Sequence, residues 1–201
     1  MKKRLLTLLI FLSTAQITFS QTKSIKDLYW DYAQIRMEDS ERAQAITLAE
    51  ALIKRTPELT KTQFGNVSYH LGRLYEETGE TEKAIPHYEQ AIKITPGYYV
   101  PYRALGFIFI KKANAIGSKM NEAAKAKDAK LSTELYGQYK AIALKALPNL
   151  EKSQACDPDE ETKNIILNLY RSLKDNASIL SLDDRLKSKS SACISLLEDE
   201  Y

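Results

Sequence analysis

The chain is poor in the residues that most catalytic and metal-binding chemistry needs. Its only cysteines are Cys156 and Cys193, and its only histidines are His70 and His87. With no Cys-x-x-Cys pair and no Cys/His cluster, thioredoxin-like exchange and ordinary zinc sites drop out. Two readings of the cysteines stay open: in an oxidising compartment they pair and staple the C-terminal tail to the body, or they sit apart as small hydrophobes. Neither histidine has a second ligand at metal spacing or a nucleophile in a recognisable motif, so both read as structural. There is no glycine-rich phosphate loop, and carboxylate pairs such as Glu76 and Glu77 fall on helix positions that face solvent. The expectation is no catalytic, cofactor or metal site, hence no enzyme.

Glycine and proline are also scarce, at seven and six. No run alternates in the two-residue period of a strand, while Ala, Leu, Lys and Glu abound, so the chain reads as all-α. A net charge of one sign is missing as well. Lys2, Lys3 and Arg4 account for the whole formal +3, leaving the rest of the chain neutral and without an electrostatic footprint for nucleic acid. Those three cations lead an apolar run from Leu5 to Leu12 and a small-residue site at Thr18, Phe19 and Ser20. This is the form of a signal peptide over 1–20, cleaved after Ser20 or after Ala15, because the run falls short of the ~20 residues that span a bilayer. No cysteine follows for lipid attachment. The protein is thus expected to be exported, periplasmic or secreted.

What is present is a helix-turn-helix unit at Gly65 to Tyr98. Leu71, Gly72 and Tyr75 share one face of a first helix, and Ala84, Tyr88 and Ala91 one face of a second. Gly79 is placed for a left-handed cap, Thr81 to cap the second helix, and Pro96 to stop it. The order L-G-x2-Y, A-x3-Y, P resembles the tetratricopeptide repeat. A degenerate copy is expected at 24–58, with helices over Ser24 to Glu38 and Ser40 to Arg55 and five surplus residues in the connection Glu58 to Gln63. A third copy, at 99–158, opens on Tyr102, Leu105, Gly106 and Phe109 and closes on Ala146, Leu150 and Pro158, with 28 residues of excess.

Divided evenly, that excess adds about four turns to each helix and keeps its stripe on one face. Phe109, Ala113, Ile116, Met120 and Ala124 continue down one arm, and Leu135, Tyr139, Ile142 and Ala146 return along the other. The expectation is a projecting hairpin that turns near Lys127 to Ser132. Gly117 and Pro148 oppose it, which keeps a flexible Lys-rich loop from Ala115 to Lys130 as the other reading. A capping helix is expected at 160–174, completing a helical domain over 21–175. The tail at 176–201 is expected to be partly helical, with a polar break at Lys187 to Ser191.

The resemblance implies a right-handed α-solenoid of about three helix pairs whose first helices line a concave protein-binding groove. Mapped onto this chain, the groove carries Trp30, Gln34, Asn66, Tyr69, His70, Arg73, Glu77, Arg103 and Phe107. The basic clamp by which one subclass holds acidic chaperone tails is absent, since Trp30, Gln34, His70, Val100 and Ala104 stand in its places. The functional expectation is an adaptor or assembly factor of a bacterial cell envelope, binding a protein partner in the groove or along the hairpin. A second expectation is membrane-surface contact through Lys119, Lys125, Lys127, Lys130, Lys140 and Lys145.

Overall fold

The computed structural model describes residues 23–198, and the leader expected at 1–20 lies outside them. Ser24 accepts a hydrogen bond from the Asp27 amide and so starts α1, Ile25–Ile35. This helix stops three residues short of the expected Glu38, and a 3-10 turn at Asp39–Glu41 leads into α2, Arg42–Lys54. Pro57 follows in a second 3-10 turn, Thr56–Glu58. Next, Thr60 and Gln63 form a reciprocal capping box that starts α3, Lys61–Glu77. Part of the surplus expected in the 58–63 connection is therefore an extra first turn of α3. It places Gly65 inside the helix, where a Cβ would lie 3.0 Å from Ile94 Cγ2.

The partner of α3 is α4, Thr81–Ile94. Gly79 takes φ +82°, as the turn demands. Thr81 is the first helical residue rather than the cap; Glu80 holds that position without a side-chain hydrogen bond. At Gly72 the two helices are so close that a Cβ would meet the Tyr88 ring at 2.9 Å.

Two long helices follow, α5 from Val100–Lys125 and α6 from Ala129–Cys156. They pack against each other as an antiparallel hairpin, and the 115–130 segment is helical through Lys125. The turn is at 126–128, slightly ahead of its expected place, because Asp128 caps α6 by accepting from the Leu131 amide. Gly117 and Pro148 are accommodated within α5 and α6, respectively. The buried stripe also drifts by a residue along the arm: Ala123 is buried and Ala124 is exposed. An α-helix has 3.6 residues per turn, so a strict three-and-four count slips over several turns.

After α6 come α7, Glu160–Ser172, capped by Asp159, then α8, Asn176–Leu180, and α9, Leu182–Lys189. The expected polar break at 187–191 is instead the end of α9 and a 3-10 turn, Ser190–Ala192. Short polar residues there hydrogen-bond the backbone locally, as Ser190 and Ser191 do by donating to the Lys187 and Ser188 carbonyls.

One turn design recurs three times. The amides of Glu80, Asp128 and Asp175 donate back to the carbonyls of Tyr75, Ala123 and Tyr170. The residue before each acid, Gly79, Lys127 or Lys174, has positive φ, and these are the positive-φ positions among the described residues. This is the six-to-one closure of a left-handed helix cap. Its third use places α7 and α8–α9 in the same helix-turn-helix relation as α3 and α4, so the capping segment is itself a fourth pair. Both α7 and α9 pack on α6.

The core runs continuously along the stack, from Tyr29, Tyr32 and Leu52 through Leu71, Tyr88 and Leu105 to Leu150, Ile166 and Leu182. Glu151, 3% exposed, is held within it. Its carboxylate accepts from Tyr170 Oη at 2.6 Å, from Arg185 Nη2 at 2.6 Å and from Lys189 Nζ at 2.6 Å. Burial pushes its pKa up, but these donors win and hold it below the ordinary carboxylate value, while burial and Glu151 push Tyr170 up to about 12. No helix among the described residues is long and apolar enough to cross a membrane.

Candidate functional site

The groove candidates lie on α1, α3 and α5. On α1, Trp30 is 53% exposed beside a cavity of about 360 Å³ lined by Lys26, Asp27, Tyr29 and Gln63. Gln34, a turn later, is exposed. Such a tryptophan has apolar area available to a partner.

The α3 candidates form the densest part of the site. Tyr69 is half-buried, with its ring edge-on to Tyr98 at 5.0 Å and to His70 at 4.9 Å. Burial and then a hydrogen bond with Tyr69 raise the Tyr98 phenol well above its usual range, so it stays neutral near pH 7. Asn66 is 1% exposed, and its amide donates to the Glu198 carbonyl at 2.6 Å.

A turn further on, Arg73 donates to Glu77 at 2.5 Å and to the Arg36 carbonyl, and Glu77 also accepts from Arg42 Nε at 3.1 Å. These two charges join the end of α1 and the start of α2 to α3. They are committed within the molecule, and replacing either disturbs helix packing as well as any partner contact. On α5, Arg103 pairs with Asp157 at 2.7 Å, and Phe107 is 36% exposed.

The structure thus brings Asn66, Tyr69 and His70 together, and adds participants that sequence reasoning missed. Tyr98 and Gly97, in the turn between α4 and α5, meet the C-terminal segment in an isolated parallel bridge between Tyr98 and Ile194. The Ile194 amide donates to the Gly97 carbonyl at 2.7 Å, and the Tyr99 amide donates to the Ile194 carbonyl at 3.4 Å. A Cβ on residue 97 would sit 2.8 Å from the Ala192 carbonyl, so glycine is what permits the approach. Cys156 and Cys193 are joined in a disulfide, which settles the two readings of the cysteines in favour of pairing. Gly97 and the cysteine pair were the signals available in the sequence.

Among the described residues no group of three or more His, Cys, Asp or Glu side chains can hold a metal ion. His87 lies stacked on Tyr75 at 5.6 Å, its pKa lowered by burial.

Comparison with known proteins agrees with the architecture. Residues 66–98, which are α3 from Asn66 onward, all of α4 and the turn that receives the C-terminal segment, match the tetratricopeptide repeat family. No curated protein and no solved structure matches the chain. The chain contains a tetratricopeptide repeat, the α3–α4 pair, within an all-α, solenoid-like stack of helix pairs.

Proposed function

We propose that this protein is a non-enzymatic scaffold of the bacterial cell envelope, an adaptor or assembly factor that takes a protein partner in the groove formed by α1, α3 and α5. The observation that carries the reading is the tetratricopeptide repeat at 66–98, embedded in a stack of helix pairs. Repeats of this kind generally mediate protein–protein interaction. The exposed aromatic rings of Trp30 and Phe107 supply the residue type that commonly dominates interface energy. Export is supported by the basic and apolar leader at 1–20 and by the Cys156–Cys193 disulfide, since such bonds persist in oxidising compartments.

The test is crosslinking capture from the native envelope with the full chain and with Trp30→Ala and Phe107→Ala. Loss of one specific partner in both variants is expected, with far-ultraviolet circular dichroism unchanged. Capture of the same partner at undiminished yield by both variants overturns the groove assignment. A reporter enzyme that is active only outside the cytoplasm, fused after residue 22, tests export separately.

A further inference from the structure

The geometry points to a receptor for an extended peptide, formed by Asn66, the backbone of Gly97 to Tyr99 and Lys61, that the disulfide keeps filled with the chain's own segment 194–198. The ligand class is an extended segment with apolar residues followed by an acid, supplied in trans by a partner once Cys156–Cys193 is reduced. The inference deepens the scaffold reading by naming what one part of the groove binds.

The segment is recognised chiefly through its main chain. Ile194 exchanges hydrogen bonds with Gly97 and Tyr99 like an added strand, and the Glu198 carbonyl accepts from Asn66. Its side chains bury little, with Ile194 42% and Leu196 80% exposed. A cavity of about 430 Å³ remains beside it, lined by Ile94 and Thr95 on one side and Leu196 and Leu197 on the other. Lys61 and Glu198 both line that space, which matches a basic receptor edge to an acidic peptide end.

Weak side-chain burial means that the covalent tie does much of the holding. The tie sits just before the bound stretch, at Cys193, and Lys152 steadies it by donating to the Lys189 and Ala192 carbonyls at 3.0 and 3.2 Å. A tethered segment competes with free peptide at an effective concentration on the order of millimolar. Cys193 is exposed to a dithiol reductant. One thiolate attacks the Cys193 sulfur and Cys156 leaves as thiolate; the second then releases Cys193, and the reductant departs as its own disulfide. Two electrons and two protons pass to the protein.

The experiment compares the oxidised full chain, the dithiol-reduced chain and Cys193→Ser, with hydrogen exchange at the Ile194 and Tyr99 amides read beside binding of a fluorescent peptide of residues 194–198. The expected result is protected amides and no binding when oxidised. In the reduced chain and the variant, protection is lost and binding is at least tenfold tighter. Adding Gly97→Val, or proline in place of the peptide's Ile194, should cost at least tenfold. Equal binding to all three forms, amides still protected after reduction, or no saturable binding to the opened forms would each overturn the proposal. Trp30 and Phe107 do not line this pocket, so failure here leaves partner capture through them intact, and the converse holds.

Discussion

The α3–α4 pair and the α5–α6 pair are built by the same rules and held by different neighbours. In the first, Val67, Leu71, Ala84, Tyr88 and Ala91 are buried, and both helices are flanked, α3 by α2 and α4 by α5. Tyrosine hydroxyls finish the packing: Tyr75 donates to Glu50 on α2, and Tyr88 donates to Glu76 at 2.6 Å. In the second pair the flanking helices pack on the base, through Leu105, Ile108, Leu147 and Leu150. They reach up the arm only as far as Tyr139 and Tyr136, whose hydroxyls meet Ser172 at the end of α7 at 2.9 and 3.4 Å. Toward the turn, burial thins to Ala113, Ala123 and Leu135, while Leu131, Tyr136 and Leu144 are exposed. The lesson is that amphipathic pattern makes a helix pair, but neighbours on both sides make it rigid.

The sharpest way to break the comparison is to remove one leucine from each pair. Leu71→Ala should cost about 3–4 kcal/mol and lower the thermal midpoint of the whole domain, because Leu71 is wholly inaccessible at the centre of the stack.

Next in size is Glu151→Ala at the base of α6, which should cost about 2 kcal/mol: it removes the acceptor of Tyr170, Arg185 and Lys189, though both cations retain some solvent. Its pH counterpart has a definite sign. The folded pKa lies below the ordinary 4.5, so the stabilisation is complete above that value and is lost as pH falls through the folded one. Protection factors for the α9 amides, which are corrected for the intrinsic pH dependence of exchange, should therefore fall at acid pH in the native chain and change much less in the variant.

Leu135→Ala should cost about 1 kcal/mol globally, with faster exchange confined to the hairpin tip; a drop in midpoint equal to that of Leu71→Ala would refute the contrast. The smallest effect runs the other way. No atom lies within 4 Å of a Cβ built on Gly117, so Gly117→Ala should stabilise by about 0.5–1 kcal/mol in thermal melts.

Much of this contrast was legible in the chain before any coordinates. Leu71, Gly72, Tyr75, Ala84 and Tyr88 announced a packed pair because burial, close approach and spacing all agree there. The hairpin followed from the excess before Pro158 together with a stripe that continued through it. The fourth pair was harder to see. Its signal was Lys174-Asp175, which repeats Lys127-Asp128, and a lysine in the left-handed region is not what local preference predicts. Within the candidate site, the mapping onto the repeat named Asn66 and Tyr69, which lie beside the C-terminal segment and Tyr98, respectively. It missed Gly97, Tyr98 and Ile194, because a strand-like pairing between segments about a hundred residues apart leaves no local period. Nor did spacing reveal that Arg73 and Glu77 are committed to each other and to α1 and α2.

The recurring cap at Gly79, Lys127 and Lys174 closes helices of quite different length with one local geometry. Helix length and turn chemistry are therefore separable here, which makes the hairpin a spacer of adjustable reach. Excising about seven residues from each arm, close to two helical turns, would keep the apolar seam nearly in phase and leave the turn intact. A shortened chain of that kind should still fold, with a projecting arm about half as long.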